Sequence, residues 1–538
     1  MNRRILLIYP PLRSNFSTFL PTGILLIAHA LRQEGADVKI LNLDVERLSP
    51  EGTIQRVMDI EPEIIGFSAV TSTTYLFIKE TIVNIRKAIG KDIHFIVGGN
   101  IVASAEILIR DANVDTCFFG ESYWTVKDFF RAYDFHQHTL PEEEAKKIPG
   151  IAYKCGNDVI YSGRRKVCNI NEIPLLRNFD DIDIDQYFTL IERMDFSHYP
   201  AEAKEKINSL PEGSRFICTI FCSGCQNKCS FCHRNIPGIR QRNVKDIFEY
   251  IDYLTSCFNI RFINFCDESL FFSERWLNEF TQELLKRNIV YKFAGVRADR
   301  VVRYKDYLKQ MAGHGLVDIA VGLETGNKEM LDIMNKNVTV EDNLKAIEII
   351  NDLRVYHVPQ IILGMPGENP ASIKETLRMV DKCKTNSSLS SINIIQVLPG
   401  TPVYWFAKKN GRICDETSYL ESISDKNPIA EGTVNVTEYS MSVLEYAQFH
   451  MAHKIKFENK WYGSVLLWIY DLAFLFREFF KQKKYSYKEK FSLALYALTG
   501  HTFKTEKYIF PPSGPSLRKE VKKNISDLGP LDKIKYGC

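Results

Sequence analysis

No stretch of this sequence is apolar for long enough to cross a bilayer. The longest candidate, residues 461–476, is interrupted by Asp471 and falls short of the ~20 residues that a spanning helix needs. Charge of one sign is missing too. The 69 basic and 66 acidic residues leave a net charge of +3, so no global field recruits nucleic acid, which requires a clustered basic face. The opening residues, MNRRILLIYPPLRS, have too short an apolar run for a signal peptide and pass straight into a strand pattern. Together these absences predict a soluble, cytoplasmic chain. The first 150 residues hold a single cysteine, Cys117, although the whole chain has 13. Without a secretion signal, cysteines in that number imply metal or redox use, because reducing compartments disfavour disulfides. No low-complexity tract occurs, and 45% hydrophobic with 25% charged residues is the balance of a globular protein. A length of 538 residues is too great for one core and predicts about three to four domains.

Residues 1–135 alternate strand and helix signals. RILLIY at 4–9 is a continuous apolar run, as a strand covered on both faces requires. DVKILNLD, EIIGFSAV, HFIVGG and DTCFFGE repeat the pattern with helices between them, which predicts an α/β, doubly wound parallel sheet of Rossmann or flavodoxin type. Ligands of such sheets sit beyond the carboxyl ends of the strands. Small or turn-forming residues hold those ends here: Ser68 and Thr71, then Gly98 and Gly99, then Gly120 and Glu121. Glycine there either admits a bulky ligand close to the backbone or simply makes a tight turn. Residues 136–205 are polar, with a hairpin-like piece, IAYKCGNDVIYSG, and an acidic run, NFDDIDID; they read as an interdomain linker. Strands and helices alternate again over residues 206–408, and six such units predict a partial (β/α)6 barrel. Residues 409–538 lose the strand rhythm and predict a helical C-terminal domain.

One segment carries chemistry above all others. Cys225, Cys229 and Cys232 fall within eight residues, directly after the first strand of the second α/β unit. Three thiolates on one loop can wrap a compact soft-metal site. Zinc usually takes four ligands in two distant pairs; Cys218 and Cys222 stand near enough in sequence to complete such a set. Three cysteines alone leave one iron of a 4Fe-4S cluster free to bind substrate.

The C-x3-C-x2-C spacing resembles the radical S-adenosylmethionine superfamily, and matches extend over most of residues 214–406: FCDESLFF, GVRADR, VGLETG, LGMPGE and LPGTP. GILLIAHALRQEGADVKILNLD, IVGGNIV and FFGES occupy the places used by the subgroup with an N-terminal cobalamin-binding domain. The resemblance implies three cofactors: a 4Fe-4S cluster on Cys225, Cys229 and Cys232, S-adenosyl-L-methionine, and cobalamin across Ser68, Thr71, Gly98, Gly99, Gly120 and Glu121. It places Phe231 against the adenine and assigns Arg297 and Glu324 to the ribose and methionine portions. The alternative for Arg297 and Glu324 is an internal salt bridge; for Asp267 and Glu268 it is a charge pair on the barrel rim. A D-x-H-x-x-G motif for a lower cobalt ligand does not occur, so none of His29, His94, His136 or His138 is assigned to the cobalt. Methylthiotransferases share the two-domain order but carry cluster cysteines in the N-terminal domain, which Cys117 alone cannot supply.

Within this resemblance, one electron from a reduced cluster breaks a carbon–sulfur bond of the sulfonium and yields methionine and a 5'-deoxyadenosyl radical that abstracts hydrogen from an unactivated carbon. Cobalamin beside that radical implies a methyltransferase acting on a small molecule or lipid, since an electrophilic sulfonium methyl quenches a carbon radical poorly. The alternatives are a non-methylating cyclase or rearranging enzyme of the same architecture and, remotely, a metal-binding interaction protein. An electron donor such as flavodoxin or ferredoxin is the expected protein partner. In the C-terminal region, WYGSVLLWIYDLAFLFREFF followed by KQKKYSYKEK reads as a buried cap helix, or as an interfacial helix in contact with a membrane surface.

Overall fold

Apolar runs covered on both faces build the first layer. Strands β1 (Arg4–Tyr9), β2 (Asp37–Asn42), β3 (Ile64–Ser68), β4 (His94–Gly98) and β5 (Thr116–Phe118) lie parallel in the order β2-β1-β3-β4-β5. Five of the six β1 residues are buried. Helices Thr22–Gln33 and Ser122–Ala132 pack on one face of the sheet, and Tyr75–Ile89 with Ala105–Arg110 on the other. The strand order reverses between β1 and β3, which opens a crevice at their carboxyl ends. The structure, a computed structural model, describes residues 3–11, 19–90, 92–233, 236, 238–384, 391–424, 434–437, 439–457 and 471–473.

The first sheet does not stop at residue 135. Two antiparallel strands, β6 (Ile151–Cys155) and β7 (Asp158–Tyr161), extend it beyond β5. The hairpin assigned by sequence to the linker therefore belongs to the N-terminal sheet. The physical reason is the edge: β5 is three residues long, and its unpaired backbone groups need a neighbour.

The second sheet runs β8 (Thr189–Leu190), β9 (Arg215–Thr219), β12 (Ile260–Phe265), β13 (Val290–Arg297), β14 (Leu316–Glu324), β15 (Tyr356–Leu363) and β16 (Ile392–Ile394). From β9 onward all neighbours are parallel; β8 is antiparallel. A small hairpin, β10 (Cys222–Ser223) with β11 (Arg240–Gln241), branches from the loop after β9. Phe216, Phe262, Val290, Val317 and Tyr356, one from each of five strands, share a single core cluster. Five parallel strands bring side chains together only on the inside of a curled sheet, so this is the lumen of the partial (β/α)6 barrel.

The two sheets pack on each other. Val97 of β4 and Ile101 in the turn after it share a core with Met330, Met365, Ile395 and Val397, which follow β14, β15 and β16. Phe19, just after β1, forms a parallel bridge to Cys218 on β9. The described part of the C-terminal region is helical. Glu416–Ile423 joins the N-terminal unit through Lys79–Glu421 at 2.8 Å, and Met441–Phe457 joins the barrel through Lys454–Asp381 at 2.6 Å. Among the described residues no helix is long and apolar enough to cross a membrane. The apolar segment and lysine run expected to form a cap or interfacial helix lie outside the described residues, apart from 471–473.

Candidate functional site

The cysteine loop leaves the carboxyl end of β9 and is fastened at both ends. At its neck, Asp267 accepts the backbone N–H of Phe221 at 2.7 Å and that of Cys222, which clamps the exits of β9 and β12 together. Burial pushes the Asp267 carboxyl up to about 6. Gly224 has φ +81°, and a Cβ there would stand 2.5 Å from the Gly238 carbonyl oxygen, so the turn into the loop requires glycine. Farther on, Ser230 donates from its backbone N–H to Met334 at 2.8 Å and from its hydroxyl to Ile333 at 2.9 Å. The Asn335 amide donates to the Lys228 carbonyl at 2.7 Å.

Cys229 is buried, Cys225 half-buried and Cys232 exposed. Burial raises the Cys229 thiol. Three thiols on one short loop are the donor set for a group that brings its own positive charge and takes them as thiolates, and an iron–sulfur cluster fits that description. The two cysteines that might complete a zinc site turn elsewhere. Cys218 faces the lumen beside Cys266 and Asn264, and Cys222 is buried against Asp267. Among the described residues, no three His, Cys, Asp or Glu side chains close around a point as a single metal ion requires.

Beside the loop lies a buried charge cluster. Glu324 ends β14 in the left-handed region at φ +61° and forms an ion pair with Lys336, each residue being 6% exposed. Burial works against the Lys336 ammonium, but Glu324 and Cys229 together outweigh it and the Lys336 pKa is raised. The Lys336 ammonium also lies 5.8 Å from the centre of the Phe231 ring. Arg297 does not bond Glu324. It donates to Asp299 at 2.9 Å and to the backbone carbonyls of Lys336 and Asn337 at 2.6 and 3.2 Å, while its buried Nη1 has no partner among the described residues. The salt bridge weighed from sequence is thus real for Glu324, with a partner that sequence reasoning missed; nothing in NKNVT marks Lys336. Asp267 and Glu268 form no rim pair, since Asp267 faces the loop backbone.

Glu368, on the loop after β15, is buried and accepts the Gly364 N–H through one carboxylate oxygen. Burial raises its pKa from 4.5 to about 7. The unfolded chain releases this proton near pH 4.5 and the folded chain near 7, so folded-state stability falls by about 3 kcal/mol as pH rises across that window. Glu368→Gln should remove this decline, read as the difference between variant and parent in denaturant titrations at pH 5 and pH 7.

At the first sheet the expected residues come together on one edge. Ser68 pairs with Gly98, and Gly98 with Phe118, at the carboxyl ends of β3, β4 and β5. The Thr71 hydroxyl bonds that of Thr73 at 2.8 Å. Ser72, the last residue of the strand end expected from sequence, and Ser104, behind it, have buried hydroxyls with no partner among the described residues; Ser104 escaped the sequence reading because a lone serine carries no pattern. Gly99, at φ +100°, would place a Cβ 2.2 Å from the Ala69 carbonyl oxygen, whereas a Cβ on Gly98 meets nothing closer than Phe118 at 4.0 Å. Gly120 leads into Glu121, and Glu121 departs from expectation. Its carboxylate is held by both Arg240 terminal nitrogens, one at 2.9 Å, and accepts the Cys168 thiol at 2.9 Å. Arg240 also donates to Ser223 at 2.8 Å, two residues before Cys225. Glu121 is therefore a tie between the two sheets. The histidines lie apart from this edge: His94 starts β4 at the opposite end, buried against Phe129 and Tyr133, and His29 bonds Gln33 at 3.0 Å.

Comparison with known proteins matches residues 219–380 to the radical SAM superfamily and residues 16–129 to the B12 binding domain. The anaerobic magnesium-protoporphyrin IX monomethyl ester cyclase of Cereibacter sphaeroides is 22% identical over 470 residues, 86% of this chain and 72% of the relative. The hopanoid C-2 methylase of Rhodopseudomonas palustris is 24% identical over 239 residues, 42% of this chain and 44% of that protein. Among solved structures, the radical S-adenosylmethionine methyltransferase TsrM from Kitasatospora setae, with cobalamin and a [4Fe-4S] cluster bound, superposes with a TM-score of 0.59 at 15% identity, over 77% of this chain and 79% of TsrM. At that identity the likeness is one of fold.

Proposed function

The chain belongs to the cobalamin-binding radical S-adenosylmethionine enzymes, with a 4Fe-4S cluster, S-adenosylmethionine and cobalamin as cofactors, and from that premise we propose that it is a methyltransferase acting on an unactivated carbon of a small molecule or lipid. The observation that carries this reading is the meeting of the two carboxyl edges at Glu121–Arg240 and Phe19–Cys218. Hydrogen abstraction and methyl delivery act on one atom in succession, and reacting atoms must come within about 3–3.5 Å. An edge-to-edge arrangement of the two sheets meets that need without a long domain swing. The cofactors supply the radical and the methyl group.

The chain's own residues hold and orient. Cys225, Cys229 and Cys232 would ligate the cluster. Phe231 would lie against the adenine, and the unpartnered Nη1 of Arg297 would meet a polar group of S-adenosylmethionine. Glu324, fixed by Lys336, would serve the ribose or methionine portion. Ser68, Thr71, Gly98, Gly99 and Gly120 would seat cobalamin. An electron donor of the flavodoxin or ferredoxin kind would dock outside the chamber.

Anaerobic incubation with S-adenosylmethionine, a reductant and extract of the native organism tests the reading. A product heavier by one CH2 unit supports it. A product without that gain supports the second reading, a cyclase or rearranging enzyme, which the relation to a cyclase favours.

The cobalamin seat has its own test. A side chain at Gly98 meets open space, so Gly98→Trp should fold, keep its iron and lose cobalamin affinity by about 5- to 150-fold, the effect of ~1–3 kcal/mol of overlap. Gly99→Trp is uninformative, because it strikes the Ala69 carbonyl first. Cobalamin retained by Gly98→Trp after gel filtration would displace the seat from this edge.

A further inference from the structure

A second pair of thiols lies in the barrel, apart from the cluster loop. Cys218 on β9 is level with Asn264 on β12, and the Asn264 amide donates to the Cys218 sulfur at 3.4 Å, so the two side chains share a face. Alternate residues of a strand point to the same side, which carries Cys266, two residues beyond Asn264, onto that face as well. Its backbone N–H is anchored on the Thr219 carbonyl at 2.8 Å. The Cys266 S–H donates to the Asn264 carbonyl at 3.7 Å, so both sulfurs are held by the same asparagine. Both belong to the lumen cluster of Phe216, Phe262 and Tyr356. Those rings, with the Lys292–Asp318 pair at 3.3 Å and Tyr199 bonded to Asp318 at 2.8 Å, fill the lumen below. The thiol pair thus forms the upper layer, on the side of the strand ends from which the cluster loop departs. Cys218 is 6% exposed and Cys266 half-buried, so Cys266 is the sulfur that reaches the open end.

The partners around Cys218 favour its anion. The neighbouring Cys266 thiol, the Asn264 amide and the Lys292 ammonium together outweigh burial and lower its pKa, while that of Cys266 is raised. A thiol beside a thiolate is suited to one-electron chemistry, because a sulfur radical and an adjacent thiolate share their odd electron in a three-electron S–S bond.

We propose that Cys266, supported by Cys218, is a hydrogen-atom donor to carbon radicals formed in this chamber. The proposal rests on the radical-enzyme reading and suits its non-methylating form, because returning a hydrogen atom to the substrate carbon competes with methyl delivery. In the step, the Cys266 S–H bond breaks and a C–H bond forms, and the unpaired electron passes from carbon to sulfur. The sulfur radical bonds the Cys218 thiolate to give a disulfide radical anion. One electron from the one-electron reductant that serves the cluster, and one proton from water, restore the thiol and the thiolate. Cys266 is the catalytic residue and Cys218 the positioning one.

The S–H hydrogen exchanges with solvent, which gives a test with S-adenosylmethionine as the only organic substrate. The loaded chain is incubated with S-adenosylmethionine and dithionite in D2O, and the 5'-deoxyadenosine formed is analysed by mass. The parent should place one deuterium in it. Cys266→Ala should retain its iron, still release methionine, and show about tenfold less label or lower still, the radical being quenched by unexchanged C–H bonds. Cys218→Ala should show an intermediate loss. An unlabelled product from the parent, or undiminished label in Cys266→Ala, would overturn the proposal. If no methionine is released by any form, the radical reading itself fails and takes the donor with it. An activity-free readout uses phenylarsine oxide, which bridges close thiol pairs. The metal-free Cys225→Ala/Cys229→Ala/Cys232→Ala chain should bind one equivalent and lose it on adding Cys266→Ala; no binding by the triple variant would contradict the pairing.

Discussion

Replacing Cys229 by alanine should leave the chain without its cluster iron and without any cleavage of S-adenosylmethionine. Cys229 is the buried member of the loop, held by the Ser230 and Asn335 bonds on either side of it, so no neighbouring sulfur can move in to replace it. Cys225→Ala and Cys232→Ala should behave alike. Cys222→Ala provides the contrast: its thiol faces Asp267, away from the three ligands, and burial together with the Asp267 charge holds its pKa well above the thiol range. That variant should lose some stability and keep its iron. Iron and acid-labile sulfide, measured after anaerobic reconstitution, separate the two outcomes. If Cys222→Ala loses iron as fully as Cys229→Ala, the ligand set is misassigned.

Lys336→Met should be among the most destabilising single changes outside the cluster loop. It leaves the Glu324 carboxylate buried and unpaired, and removing one partner of such a pair costs about 3–5 kcal/mol. The Lys336 backbone carbonyl also accepts from Arg297, so strain would spread to that side chain. Adding Glu324→Gln to Lys336→Met removes the stranded charge and should restore much of the loss. Denaturant midpoints of the four forms, read as a double-mutant cycle, report the coupling directly. A double variant whose loss equals the sum of the two single losses would mean that the pair carries no net interaction.

The cysteine loop and both parallel sheets were legible in the sequence because each rests on short-range pattern: a fixed spacing of thiols, and apolar runs long enough to be covered on two faces. What was not legible depends on residues far apart in the chain. Glu121 looked like a ligand-facing residue because it follows Gly120 at a strand end; only the fold brings Arg240, 119 residues later, against it. Lys336 is an ordinary lysine in a polar loop until the chain returns it beneath Glu324. Asp267 was placed correctly at a strand end, but its role in clamping Phe221 and Cys222 depends on the neighbouring strand. The β6–β7 hairpin was taken for linker because its pattern is weak and its partner is the short β5, whose open edge no local signal announces. Gly98 and Gly99 are adjacent and identical in type, and only three-dimensional contact shows that one is a backbone necessity while the other faces open space.

The central claim is that the cluster and cobalamin share one chamber, and their magnetic interaction measures it most directly. In the chain loaded with both, the electron-spin relaxation of cob(II)alamin should speed up when the cluster is reduced to its paramagnetic state. The same cobalamin signal in Cys229→Ala, which lacks the cluster, should show no change on adding reductant. Relaxation that is identical with the cluster oxidised, reduced or absent would place the two cofactors apart and contradict the account.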